Sequence, residues 1–434
     1  MTSDPANVSH PDALPNPRGG AVRAADAWLA AAADAFEHRD DAAAPLSAAA
    51  AVLAEAGWLP AARFAGQLSA AVPLVAAEPT SAGWRAALRD FRAAVGRHNL
   101  RELACSSVLF DHFRALRAQS AADLRASTPL DALALVGRAV PQATLRVLPE
   151  EIATRVRARY EQALLGVLRA QHGAPDAALD ELDAMQAALA DDGPYDFWRL
   201  AAACQRALRA TGAPELKRFL ARTNLLLGEQ AQGRRRSAPP ELVRETVALL
   251  WRDFALFGAA AEDVALVDVL HDYGLTVDWH VAGTPASEAL WEADAARAEH
   301  DAVAVAPTRA LGVVTVNAHA YEDFLQTADA SMADLAVDPA AADAGAAWRA
   351  SAAAYRVGTA ACALGLGHAA LLADTLGLAW RRAAHGMPLA DGGLDAHARA
   401  SDMLRAALLK IAAGVAPPDL TAASGALGAA LGRT

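Results

Sequence analysis

Lysine is nearly absent from this 434-residue chain: only Lys217 and Lys410 occur, and arginine supplies almost all the positive charge, as GC-rich coding favours. Cysteine is scarce as well. Cys105, Cys204 and Cys362 form an odd, widely spaced set without a C-x-x-C pair. That argues against a disulfide framework or a zinc ribbon and fits small buried hydrophobes in a reducing cytoplasm. There is no run of about 18 apolar residues free of charge, so no transmembrane helix is expected. Residues 1–20 lack a basic start followed by an apolar run, and their Pro, Asp, Asn and Gly content predicts a disordered tail, not a signal peptide. Positive charge is also outnumbered: the formal net charge is -11. Nucleic acid and anionic membranes are therefore poor partners, and proteins are better ones.

What the chain has in abundance is alanine. Hydrophobic residues make up 54% and charged residues 21%, and alanine forms helix well while burying little area per residue. Long helices in close contact are expected, giving an all-α fold of several helical bundles. The length implies two to four modules.

Periodicity places the helices. Val22, Ala25, Trp28, Leu29, Ala32 and Phe36 recur at the three-and-four spacing of one buried face. Leu46 to Leu68, LSAAAAVLAEAGWLPAARFAGQL, reads as a helix, a turn near Gly57 and a second helix; a helix around Trp84, Leu88, Phe91 and Val95 completes four, as a bundle requires. After a Ser/Asp-rich linker at about 119–131, Pro149 with Glu150 and Glu151 opens another helix. DAALDELDAMQAALA is amphipathic, and Gly193-Pro194 breaks the chain before FWRLAAACQRAL. Gly233 to Pro240, GRRRSAPP, reads as an exposed linker. Thr276 to Val281 and Leu311 to Val316 alternate like strands. Asn317 suits the N-cap of a helix that begins a second bundle. The expected layout is a tail at 1–20, a bundle at 21–100, a central helical domain at 101–310, a second bundle at 311–414 and a flexible tail at 415–434.

Tyr355 to Leu376 reads YRVGTAACALGLGHAALLADTL. This resembles the core of histidine-phosphotransfer domains, H-x-L-K-G-x-A-x-x-L-G. Aligned on Leu364-Gly365, the phosphoacceptor slot holds Tyr355 and the lysine slot holds Gly358. Leu46 to Leu68 echoes the segment, with Ser47 in the slot and Gly57 ten residues on. The fold expected is thus all-α with two degenerate phosphotransfer-like four-helix bundles. With YEQALLGVLRAQ, and with DFWRLAAACQRAL followed by KRFLARTNLLLGEQAQG, the chain from about Ala24 to Ala413 resembles the FimL family of type IV pilus chemosensory scaffolds. It is similar too to the N-terminal region of ChpA/PilL histidine kinases. The resemblance implies a cytoplasmic, non-catalytic scaffold that engages response-regulator receiver domains or proteins organising the cell pole, and supports twitching motility and cyclic-AMP signalling. Its partner faces would carry Ser47, Ala51, Trp58, Tyr355, Arg356, Gly358 and His368. No cofactor and no metal are implied, and the chain contains no glycine-rich ATP-binding segment.

Two other readings compete. A displaced histidine, His368, His385, His319, His98 or His112, could carry phosphate, but none has the adjacent Lys-Gly pair, and solvated or capping histidines are the plainer account. HDYGLTVDWH, His271 to His280, holds metal-ligand residue types, yet histidines nine apart without supporting ligands read better as a helix-to-strand junction. Arg234-Arg235-Arg236 reads as exposed charge.

Overall fold

The structure, a computed structural model, describes residues 20–75, 81–97, 100–120, 131–170, 176–210, 212, 215–233, 235–257, 264–275, 308–311 and 314–432. The chain divides into two units. One comprises residues 1–138 with 283–430, the other residues 139–282 with 431–434. The strand expected at Thr276 to Val281, the linker at 121–130 and the tail at 1–19 lie outside the described residues.

The first unit begins with helices α1 (Gly20–His38), α2 (Ala43–Glu55), α3 (Leu59–Val75) and α4 (Ser81–Arg97), followed by α5 (Leu100–Cys105), α6 (Ser107–Ser120) and the one-turn α7 (Asp131–Ala134). α1 packs along α2, α2 against α3, and α4 closes on both α1 and α3. The bundle therefore runs up and down, as its short connections require. Phe64 stacks on Phe91 at 4.6 Å between ring centres and Phe36 on Trp84 at 4.1 Å. The Trp84 indole N–H donates to the Leu68 carbonyl at 3.1 Å, so the ring is buried without an orphaned donor. Arg92 with Asp26 and Arg85 with Glu37 tie α4 to α1. Both pairs are solvated and contribute about 1 kcal/mol or less. Trp28, expected on the buried stripe, is 44% exposed; Val22, Ala25, Leu29 and Ala32 fill that stripe instead.

The second unit contains α8 (Glu150–Arg169), α9 (Asp176–Leu189), α10 (Phe197–Ala210), α11 (Leu216–Ala231), α12 (Pro240–Phe257) and α13 (Val264–Asp272). α10 is its axis, touching α9, α11, α12 and α13 and burying Phe197, Trp198, Leu200, Cys204 and Leu208. Several of its buried polar groups are paired. The Tyr160 hydroxyl meets Thr223 at 2.7 Å and accepts from Gln186 at 3.2 Å. Burial pushes this phenol up to about 12. The Trp198 indole donates to Gln230 at 2.9 Å, and Gln230 donates in turn to the Arg146 carbonyl at 2.7 Å.

The extended segment before α8 stitches this unit together. Thr144 N donates to Tyr195 O at 2.8 Å, Phe197 N to Thr144 O at 2.9 Å, Leu145 N to Arg236 O at 3.0 Å and Ala238 N to Ala143 O at 2.9 Å. The arginine-rich stretch expected as an exposed linker does expose Arg235 and Arg236, but its backbone is pinned at Arg236 and Ala238, and Ala238 is buried.

The first unit resumes with β1 (Thr308–Leu311) and β2 (Val314–Asn317), then α14 (Ala318–Leu335), α15 (Ala344–Ala363), α16 (Gly367–Ala384), α17 (Gly393–Ala412) and α18 (Thr421–Ala430). The strand expected at Leu311 to Val316 is an antiparallel hairpin centred on that stretch, with Leu311 opposite Val314. The Asp343 carboxylate caps α15 by accepting from Ala346 N at 2.6 Å. α15 and α16 pack closely because small residues face each other: Ala353, Ala354, Gly358 and Ala361 on one, Ala369, Ala370, Ala373 and Gly377 on the other, all buried. The tail expected to be flexible carries α18, which packs on α16 and α17 and buries Leu420 and Leu427. Both bundles thus share one plan: four antiparallel helices with a further helix, α6 or α18, laid against the third.

Two outcomes are expected. A fragment of residues 148–282 should be markedly less stable in urea than one of 139–282, because it lacks the backbone bonds of Ala143 to Arg146, each worth about 1 kcal/mol. Equal midpoints would show the segment to be dispensable. In the second bundle, His397 is buried against Trp380 at 4.3 Å between ring centres, and burial pushes it down to about 4. In the unfolded chain an imidazole titrates near 6.5. Below that pH the unfolded state gains a proton that the folded state excludes, so stability is full above about 6.5 and declines as pH falls towards about 4, by roughly 3 kcal/mol. Denaturant melts of His397→Leu across this range should show that part of the decline removed.

Candidate docking site

Each bundle carries the helix, glycine turn and helix of the slot motif, and the two turns meet. Gly57 and Gly365 both have left-handed backbone, φ +79° and +75°, which glycine adopts without strain. Between them the fit leaves no room for a side chain. A Cβ on Gly57 would stand 2.5 Å from His368 N, and one on Gly367 would be 2.6 Å from the Gly57 carbonyl carbon. The Trp58 indole lies over Gly365 and donates to its carbonyl at 2.9 Å. His368 Nε2–H donates back to the Glu55 carbonyl at 3.0 Å, and this fixes its tautomer. Trp58, expected as an exposed partner residue, is 2% exposed and serves as the internal joint between bundles. His368 is half-buried in the same joint.

The two slots have opposite fates. Ser47 is exposed on α2; its hydroxyl donates to the Ala43 carbonyl at 2.9 Å and lies 3.2 Å from the Ser69 hydroxyl of α3. Ala44, Ala51 and Glu55 share its exposed stripe, and Arg63, Gly66, Ala70 and Leu74 line the exposed side of α3. A flat face of small side chains results, with Leu74 at one end and Glu55 and Arg63 at the other. In the second bundle, Tyr355 is 2% exposed. Its ring crosses to α16 and fills the space over Gly377, where a Cβ would come 2.5 Å from the ring. Ser351 Oγ donates to the Gly377 carbonyl at 2.9 Å beside it.

The lysine slot is reshaped too. Gly358 is buried, and a Cβ there would collide with the Asp374 carboxylate. Asp374 pairs with Arg138 at 2.7 Å. Burial withdraws the partner contacts expected of Tyr355, Gly358 and Trp58 as free surface, whereas Ser47, Ala51 and Arg356 are exposed. The reason is physical: in a helix made mostly of alanine the tyrosine ring is a large apolar group, and α15 and α16 bury it. Gly377 opposite Tyr355 was the signal that could have revealed this.

The other sequence candidates are dispersed. His112 Nε2 pairs with Asp90 at 2.9 Å, and Asp90 is held below the usual carboxylate range by bonds from His112 and Arg89 that outweigh its desolvation. His385 meets Trp348 edge-on at 4.9 Å. His98 and residues 276–280 lie outside the described residues. Among those described, no three His, Cys, Asp or Glu are grouped to hold a metal ion, and no helix is long and apolar enough to cross a membrane.

Residues 148–277 match the family model of the FimL scaffold protein second domain, and the FimL-type likeness read from the sequence is borne out on this stretch. The matched stretch falls in the second unit, whose folded boundary extends back to Ala139. No curated protein and no solved structure matched the chain.

The joint can be tested by substitution. Gly367→Ala and Gly57→Ala should each destabilise the protein by about 1–3 kcal/mol, since neither neighbouring backbone can move aside. Trp58→Phe should cost about 1–2 kcal/mol through the unpaired Gly365 carbonyl. Gly66→Ala, where a Cβ meets open space, should cost no more than about 0.5 kcal/mol. Equilibrium denaturation checks all four.

Proposed function

From the FimL-type second domain at residues 148–277, we propose that the chain is a non-catalytic signalling scaffold of a type IV pilus chemosensory pathway. It binds a response-regulator receiver domain on the α2/α3 face around Ser47 and Ala51, and it acts in twitching motility and cyclic-AMP signalling. The observation that carries the reading is the pairing of an open slot face with a missing phosphoacceptor. Ser47 stands where a phosphotransfer histidine would stand, exposed on a flat surface of Ala, Ser and Gly. Such a surface lets another helix approach closely at its centre, because its long side chains, Glu55, Arg63 and Leu74, stand at the ends. Serine cannot form a phosphohistidine, so the face offers binding without that transfer.

Titration of the full chain with purified receiver domains of pilus response regulators tests the proposal. Ala51→Glu and Ala48→Glu should weaken binding about tenfold or more, as charge does at the centre of an interface. Arg356→Glu, on the exposed side of α15, should matter less. Undiminished binding by both alanine variants would overturn the assignment of the face. Acid-labile phosphate on the chain after incubation with a phosphorylated kinase would favour phosphotransfer through a displaced histidine instead.

A further inference from the structure

Apolar exposure in the second unit is uneven. Among its described residues the large apolar side chains that stand exposed are Val147, Ile152, Leu165, Leu168 and Leu225, all on α8, just before it, or on α11. Single exposed leucines need no explanation, whereas a contiguous group marks a contact surface. α8 and α11 run antiparallel, since Arg157 lies over Gly228, Tyr160 meets Thr223, and Lys217 Nζ donates to the Ala170 carbonyl at 2.8 Å. Leu168 follows Arg157 by three turns and so lies on the row beside α11, with Leu165 next to it; Leu225 comes one turn before Gly228 on the facing row. Leu165 is 47% exposed, Leu168 43% and Leu225 70%. Ala221, one turn from Leu225 and half-buried, is too short to fill the seam.

The charges on this edge mirror each other about Leu165. Glu161 stands four residues before it and Arg169 four after, so the three share one row of α8. Glu161 accepts from its own Arg157 at 2.9 Å, a solvated pair that holds it weakly. Among the described residues Arg169 makes no ion pair. A twofold axis that sets Leu165 against its copy, with the two α8 helices antiparallel, brings Glu161 of each chain to Arg169 of the other. We infer that the α8/α11 seam docks a second copy of this chain, through Leu165, Leu168 and Leu225 and two exchanged pairs of Glu161 with Arg169. Such a contact is self-complementary, as an isologous dimer requires. α8 is 20 residues long, so the two helices, about 30 Å long and about 20 Å wide together, offer about 600 Å² a side. That is the low end for specific association, and the dimer is accordingly weak and concentration-dependent. The surface lies within residues 148–277 and is independent of the α2/α3 face.

Sedimentation velocity of the full chain from about 1 to about 100 μM tests the inference, and wild type should pass from monomer to dimer over that range. Leu165→Glu should abolish the dimer and Leu225→Ser weaken it about tenfold. Arg169→Glu and Glu161→Arg should each weaken it about tenfold by setting like charges opposite one another, and the double variant carrying both should recover wild-type association. Urea midpoints near that of wild type confirm that each variant is folded, since all four positions face solvent. A wild-type monomer throughout would overturn the inference and give the seam to a different protein. A dimer unmoved by the leucine variants would place the contact elsewhere and overturn it equally. Failure of the double variant to recover would overturn the antiparallel register.

Discussion

The contact on which the first unit depends is the meeting of two glycine turns. At Gly57 and Gly367 backbone touches backbone, and Trp58 covers the seam while spending its indole N–H on the Gly365 carbonyl. Two hairpins far apart in sequence thereby become one body. The arrangement needs glycine for its conformation at Gly57 and Gly365 and for its size at Gly57 and Gly367. It needs tryptophan because only a large ring with a donor both fills the gap and satisfies the buried carbonyl. The docking surface follows from this joint, which removes the turns from the surface and leaves the helix sides.

From there the two copies diverge. The first keeps small, exposed side chains at the slot. The second has turned its slot inward: Tyr355 lies over Gly377, Asp374 sits over Gly358, and Arg138 closes the remaining side. One copy offers surface and the other supplies core. Two open faces, as the sequence motif suggested, would have left Gly377 without the ring that covers it. Filling the slot with a phenol ring adds apolar area where the sequence is poorest in it.

Much of this was legible beforehand. Alanine-rich periodicity gave the all-α class, the glycine turns gave the hairpins, and the echo between Ser47 and Tyr355 gave the paired bundles. Burial at the slots was not legible, because a tyrosine at a surface position and a tyrosine in a core look alike without the partner helix. Trp58 misled for the same reason. A tryptophan in a turn suggests an exposed anchor, and only the second turn, some 300 residues later, makes it internal. The α18 helix was missed because TAASGALGAA has no large apolar residue but Leu427, and tertiary contact with α16 and α17 decides it. The stitching segment around Thr144 has no periodic signal either, since its order comes from backbone bonds to Tyr195, Arg236 and Ala238.

A hydrogen-exchange footprint of the full chain, alone and saturated with a bound receiver domain, tests the central claim most directly. Protection confined to α2 and α3, over 43–55 and 59–75, is the result this account predicts. Protection centred on α15 and α16 with α2 and α3 unchanged would contradict it.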